Sequence, residues 1–416
     1  MKQRYTFLIF STLFFVETTY AEFNVHKYFA PIWTFETRAE RKGMLTADAW
    51  QLHGTTTKSK DTSGKTTGLL NLYGPQKMHQ IGRANGANAI VDTPAQVLAQ
   101  LWNTIPISDN YAQIEFDGRL SFTGGSLAIA VNITDKAFIG VNIPHYKLDV
   151  TNITWKDITP EAEQDAAWIQ FKTHFDEILR LNNISLAPTS VKQIGDMLVY
   201  AGWTINSEDQ DQLDFVDFGL RMGFLLGNDI RADVNQAFSF PGGYDGHKGI
   251  LADASLGLGM HSKISLSLYA KAIVLLNSTQ TTRMQTAAGQ NGFIKLAKGE
   301  ANYNPGNIYS VGGALKFDAF DQLSLFFGYL YNHRQDDKLT AKDSILFPPE
   351  IINSDANMHG WSMHTISSGL ELDFTNYERK IHPRATFGYN YIVKGTNIFL
   401  NNTVGGGFAL ALTADF

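Results

Sequence analysis

The chain has 416 residues, of which 44% are hydrophobic, 12% aromatic and 18% charged, with 36 glycines, no cysteine and a net charge of −6. That balance excludes a disordered chain, and the lack of cysteine excludes a disulfide framework and thiol chemistry. Mean hydropathy is −0.15, and no apolar run reaches the ~18 residues of a transmembrane helix, which leaves strands of alternating polarity as the way to hide apolar surface.

Lys2 and Arg4 precede an apolar stretch over Phe7–Val16, and Thr19-Tyr20-Ala21 follows it. A basic start, a short apolar core and a small residue at the end read as a secretory signal over 1–21, cleaved near Ala21; an uncleaved anchor is the lesser alternative. Removing it takes away two bases and one acid, so that 32 Lys and Arg face 39 Asp and Glu, a net −7. This mild acidity argues against a nucleic-acid partner.

Residues 32–53 carry Trp33, Phe35 and Ala39 before a change of pattern around Gly43. The connection 54–110 is the longest, and it reads as a loop that either plugs the interior or caps it from outside. Its start, Thr55 to Gly68, is rich in Thr, Ser, Lys and Gly and reads as a solvated tip. Further on, Asp92-Thr93-Pro94 caps a helix bearing Val97, Leu98, Leu101 and Trp102. In 111–133 the apolar positions are even at Ile114, Phe116, Leu120 and Phe122, then odd at Leu127, Ile129, Val131 and Ile133. The change falls at Thr123-Gly124-Gly125, where glycine permits a bulge or a tight turn. Read as two bulged strands, 32–53 and 111–133 pair as one long hairpin and the chain holds twelve strands; read as hairpins, they bring the count to fourteen.

Strict alternation continues near 137–150, 194–206, 308–318, 322–333, 362–375 and 383–393, and it is clearest in three segments between. Phe218, Leu220, Met222 and Phe224 share one face; Ile250, Ala252, Ala254, Leu256 and Leu258 another; Leu266, Leu268, Ala270 and Ala272 a third. Each run is about 10–14 residues long, enough for a tilted strand to cross hydrocarbon, whereas strands of soluble sandwiches average about 5–6. The long connection 151–193 starts a helix near Thr159-Pro160-Glu161 whose stripe of Trp168, Phe171, Phe175, Ile178 and Leu179 needs cover, from other loops or from a rim. Short links at 134–136, 261–263, 319–321 and 376–381 alternate with long ones at 151–193, 227–247, 277–307 and 334–360, as turns on one side of a membrane and loops on the other.

The last segment places Phe408, Leu410, Leu412, Ala414 and Phe416 on one face. This closing strand with a terminal Phe, the leader and the missing cysteines resemble Gram-negative outer-membrane β-barrel proteins of the porin-like transport class, over nearly all of 22–416. The resemblance implies insertion into outer-membrane lipid by the barrel-assembly machinery, with Phe408, Leu410, Leu412 and Phe416 as the assembly signal. The expected fold is all-β: an antiparallel transmembrane barrel of about twelve strands, with short helices in long extracellular loops.

The faces opposite the apolar ones line the lumen with Glu36, Arg38, Glu40, Asp196, Asp217, Arg221, Asp253, Lys271, Lys316, Glu371, Asp373 and Arg384, seven acids and five bases. Segregated by sign, they would set up a transverse field across an aqueous pore; paired across strands, they would tie the wall together. No catalytic motif of the hydrolase, zinc-protease, phosphate-loop or dinucleotide type occurs, and nothing implies a metal or a cofactor. Ser362 and His364 share an outward face as in barrel phospholipases, in reversed order and without a third partner, so they read as interfacial residues beside a girdle of Trp361, Tyr329 and Tyr331. The function expected is passive diffusion or uptake of small solutes. A closed surface barrel is the alternative, ahead of a lipid-modifying enzyme or a hydrophobic-molecule transporter, for which residues 22–31 with Tyr28 and Phe29 make a short plug.

Overall fold

A computed structural model describes residues 26–30, 44–81, 97, 100–101, 103–104, 108–210, 213–228, 231–241, 243–260, 263–374 and 381–413. The expected signal sequence, Glu36, Arg38, Glu40, Asp92-Thr93-Pro94 and Phe416 lie outside them.

Twelve strands form the wall: β1 Met44–Thr56, β2 Gln113–Asn132, β3 Ala137–Asp157, β4 Met197–Gln210, β5 Leu213–Leu226, β6 Gly249–Met260, β7 Ile264–Leu275, β8 Ile308–Phe320, β9 Leu323–Arg334, β10 Trp361–Asp373, β11 Ile381–Thr396 and β12 Thr403–Thr413. Every neighbour is antiparallel, and β1 pairs with β12 as well as β2, so the sheet closes on itself. Closure removes the unpaired edges that lipid cannot satisfy. Two short strands join the sheet without crossing: Gln76–Lys77 beside β2 and Thr189–Ile194 beside β3. The second is needed because β3 meets β4 only over Ala137–Asn142. Pro144, which has no N–H to give, follows that stretch, and Gly195 N donates to its carbonyl at 2.7 Å.

Outward positions at mid-wall are apolar, as the alternation requires: Phe218 (37% exposed), Leu220 (43%), Met222 (66%) and Phe224 (64%) on β5. Phe408, Leu410 and Leu412 point the same way on β12, alternating with Ala409 and Ala411.

The strand β2 corrects the sequence reading. Its pairing runs without interruption through Gly124, opposite Leu52 on β1 and Tyr146 on β3. The chain neither bulges nor turns there; the environment changes instead. In the lower half Leu127 and Val131 face lipid, whereas in the upper half Leu120 and Phe122 point inward, fully buried, and Arg119, Ser121 and Thr123 face outward. Above the membrane, water lies outside and an apolar core inside, so the apolar phase inverts while the backbone continues. β2 pairs with β1 over Leu120–Val131, which bears out the expected pairing for residues 45–53, while 32–43 lie outside the described residues. The full length of β2 pairs with β3, from Asn132–Phe138 up to Ile114–Asp157. The irregularity lies higher, between Asp117 and Arg119, where β3 accommodates an extra residue with Asn152 at φ +54°.

The external loops build a domed cap. Helix α1, Ala166–Leu181, is capped by Asp165, whose carboxylate accepts from Trp168 N at 2.8 Å, and not by Thr159. Its stripe of Trp168, Phe171, Phe175, Ile178 and Leu179 joins one buried cluster with Leu69, Leu70, Leu101, Phe116, Leu120, Phe122 and Tyr146. Both loops and the inner face of the β2–β3 hairpin thus cover it; Trp155 packs edge-on to Phe175 at 5.5 Å. The expected solvated tip is a hairpin, Lys58–Lys60 with Thr66–Gly68, extended by Ile398–Phe399.

Candidate pore and external cap

At membrane height charged and small polar side chains share the inward face with buried apolar ones such as Phe138, Phe326 and Leu330. Arg221 on β5 lies directly opposite Asp253 on β6 and binds its Oδ2 through Nε at 2.8 Å and Nη2 at 2.7 Å. Lys271 on β7 faces Asp253 from the other side, and the Tyr200 ring lies 4.9 Å from the Arg221 guanidinium carbon. A second group spans β8 to β11: Lys316 Nζ is 2.7 Å and Arg384 Nη1 3.5 Å from Glu371 Oε1, with Asp373 opposite Arg384. Asp217 faces the lumen below Arg221. Opposite signs therefore sit on adjacent or next-but-one strands and are not segregated across the bore. Asp196 stands apart at the mouth, before β4, where its carboxylate accepts from the backbone N–H groups of Tyr244 (2.5 Å) and Asn228 (3.2 Å) and holds the 227–248 loop. Burial raises its pKa to about 6 against these two hydrogen bonds.

Between the charges runs a ladder of small polar pairs absent from the sequence reading: Ser126–Asn142, Ser310–Asn332 at 2.6 Å and Ser367–Asn390 at 2.7 Å, the last continuing to Thr403. Asp48 on β1 also points inward and was missed, because the outward neighbours Ala47 and Ala49 are too small to mark an apolar face. Several large inward rings are accommodated by glycines directly opposite them. Phe138 lies over Gly202, Tyr200 over Gly140 and Trp50 over Gly407, and a Cβ at any of these glycines would collide with the ring. Without that Cβ the rings rest along the wall and do not project toward the axis.

Residues 26–30 pack against the loops at the mouth. Phe399 N donates to Lys27 O at 2.9 Å, Ala30 N to Asn401 O at 3.0 Å and Thr403 Oγ1 to Ala30 O at 2.8 Å. Phe29 stacks on Phe122 with centroids 4.0 Å apart, and Tyr28 packs between Phe240 (5.0 Å) and Phe399 (5.3 Å). Lys27 Nζ donates to Tyr73 Oη at 2.7 Å; burial, aided by Arg334, lowers its pKa to about 8. Burial also keeps His26 well below the ordinary histidine range. The short N-terminal segment is thus sufficient as a strap, because it borrows backbone partners from the β11–β12 link.

On the outer surface His364 Nδ1 lies 2.5 Å from Tyr329 Oη and its ring 4.7 Å from Tyr331, while Ser362 Oγ lies 2.9 Å from Thr396 Oγ1. Trp361 does not belong to that girdle. One position from Ser362, it must face inward, and it is buried against Met363, Ile392 and Ile398. Tyr309, Tyr389 and Tyr391 face outward instead. Among the described residues no cluster of three or more His, Asp or Glu has the geometry of a metal site.

No protein-family model matches the chain, and no curated protein matches it. Among solved structures it is similar to the COG4313 outer membrane channel from Pseudomonas putida F1, with a TM-score of 0.51 and 10% identity over 92% of this chain and 100% of that one. A NanC porin (TM-score 0.32, 7% identity, 70% and 94% covered) and a Pseudomonas aeruginosa FadL homologue (0.31, 11%, 91% and 90%) also match. The chain therefore has the fold of an outer-membrane β-barrel.

Proposed function

We propose that the chain is an outer-membrane channel for small polar solutes, closed at its external end in this conformation by the loop cap and the 26–30 strap. The observation that carries the proposal is the inner wall at membrane height. Arg221 is paired with Asp253 and Lys316 and Arg384 with Glu371, small Ser–Asn pairs lie between them, and the rings of Trp50, Phe138 and Tyr200 lie over glycines. A barrel built only to anchor loops would gain stability by filling that space with interlocking apolar side chains. The similar fold of a channel supports the same reading. A barrel of twelve strands is narrower than the 16–18-stranded porins, which suits solutes of low mass. Export through the 1–21 signal and folding by the barrel-assembly machinery belong to this proposal.

No catalytic role is assigned to Ser362 and His364, whose polar atoms face Thr396 and Tyr329. Liposome swelling with the purified, folded protein tests the proposal: small neutral solutes enter and larger ones are excluded. Swelling no faster than in protein-free liposomes, for every solute and also after the strap is weakened, would leave the closed surface barrel as the better reading. The tight burial of the cap core favours that second reading.

A further inference from the structure

The outer face of the barrel changes character at one height on four neighbouring strands. Below that height Leu127 on β2 (42% exposed), Ile139 on β3 (50%) and Val199 on β4 (44%) face hydrocarbon. Above it a row runs across the strands in register. His53 on β1 lies opposite Thr123 on β2, Thr123 opposite Lys147 on β3, and Lys147 opposite Lys192 on the short strand Thr189–Ile194. His53, Lys147 and Lys192 are exposed while their chain neighbours Leu52, Tyr146, Leu148 and Gln193 are buried, so all three point outward. His145, one outward position lower on β3, is exposed opposite Ile194.

Lys147 and Lys192 are therefore like charges directly opposite each other on strands about 4.8 Å apart, an arrangement that destabilises an antiparallel pair. Asp149, the next outward position on β3, relieves one of them: its carboxylate lies 2.7 Å from Lys147 Nζ and accepts from Ser190 Oγ at 2.5 Å. Lys192 pairs with no carboxylate among the described residues. Arg119, higher on β2, adds a third cation and donates to Thr55 Oγ1 at 3.0 Å; Asp117 stands farther up, opposite Thr154. An anion held between the two lysines turns their repulsion into attraction.

Depth decides what carries that anion. The row borders the hydrocarbon, and Ile194 (55% exposed) lies one outward position below Lys192. A free anion gains nothing from such a neighbour, whereas a lipid headgroup brings acyl chains that lie along it. Lysine suits this boundary because its stem rests on apolar surface while its ammonium reaches headgroup level. Charge decides the headgroup. A phosphomonoester carries about −1.5 to −2 and no cation of its own, while a zwitterionic phosphodiester would bring an ammonium toward the lysines.

We propose that the row built on Lys147 and Lys192 is a binding site for the phosphomonoester headgroup of a membrane lipid, whose acyl chains lie on the apolar face below. The site is on the outside of the wall and does not depend on whether the lumen conducts, so it goes beyond the channel reading without resting on it.

Native mass spectrometry of the full, folded chain in an uncharged polyoxyethylene detergent tests it, with dioleoyl phosphatidic acid and dioleoyl phosphatidylethanolamine as probes. The first bound lipid is expected to be phosphatidic acid by at least ~10-fold, the order that two lysines at a headgroup surface supply. That preference should disappear in Lys147→Gln, Lys192→Gln. It should survive in Lys248→Gln, Lys394→Gln, which removes two exposed lysines elsewhere on the barrel. Heat-modifiable migration on gels reports that both variants fold. Equal binding of the two lipids to the unmodified chain overturns the proposal, as does a preference unchanged in the first variant. Equal loss in both variants also overturns it, because overall charge would then be the cause. Displacement of phosphatidic acid by equimolar inorganic phosphate would mean that the row recognises a free anion and not a lipid.

Discussion

Phe122 and Leu127 lie five positions apart on β2, one fully buried in the cap and the other 42% exposed on the lipid face. The strand that carries them is regular between them, yet it passes from one kind of solvent to another. Below, the outside is hydrocarbon and the inside a bore with charged and polar groups; above, the outside is water and the inside an apolar core of loops. The two halves obey the same rule, that apolar side chains leave water, and they obey it with opposite phase. A period of two in a sequence therefore reports a strand, while the face on which it falls reports what surrounds that strand.

The most destructive way to test the contrast is to hollow out the upper half. Trp168 is fully buried on α1 and donates to Asp157 Oδ2 at 3.0 Å. Trp168→Ala should cost about 3–5 kcal/mol of cap stability, read as early protease cleavage of the loops while the barrel keeps its heat-modifiable migration. Equal loss of cap and barrel would show that they are a single cooperative unit.

A sharper test uses one face of one strand. Leu127→Arg, on the outward lipid face, should cost about 2–4 kcal/mol in unfolding from liposomes if it lies near the midplane. Ser121→Arg, outward on the same strand but in water, should cost less than ~0.5 kcal/mol. Similar costs for the two would remove the boundary between the halves.

The smallest effect concerns pH at the junction. Asp196 has its carboxyl raised from 3.8 to about 6 by burial, so the folded state disfavours the ionised form. The stability it supports is full below about pH 4 and is lost as pH rises through 6, by roughly 2–3 kcal/mol. Asn cannot ionise, so Asp196→Asn should flatten that part of the profile of loop protection against hydrogen exchange between pH 4 and 7. A profile identical to that of the unmodified chain would show that Asp196 does not titrate there.

Much of the wall was legible because lipid imposes a simple demand. Phe218 to Phe224, Leu266 to Ala272 and the closing strand alternate as written, and the number of crossing strands, twelve, follows from their spacing. The stripe on α1 was equally plain, since five large apolar residues at helical spacing need cover wherever they fold. Other features rested on information that no local pattern carries. Residues 26–30 gain their place from partners some 370 positions away, such as Thr403. The glycines at 140, 202 and 407 look like breaks in a strand until the ring opposite each is known. Asp48 hides between alanines, and Trp361 reads as a girdle residue unless its parity with Ser362 is counted. The lumenal charges could be placed on a face from sequence, whereas their pairing, Arg221 with Asp253 and Lys316 with Glu371, depends on the register between strands.

The central claim, a bore beneath a closed mouth, is tested most directly by single-channel recording in planar bilayers of the folded chain and of the double variant Tyr28→Ala, Phe29→Ala. Removing both rings takes about 3 kcal/mol or more from the strap's hold on Phe122, Phe240 and Phe399. The account predicts rare, small openings for the unmodified chain and frequent, larger ones for the variant. Silence from both, with folding verified, would contradict it.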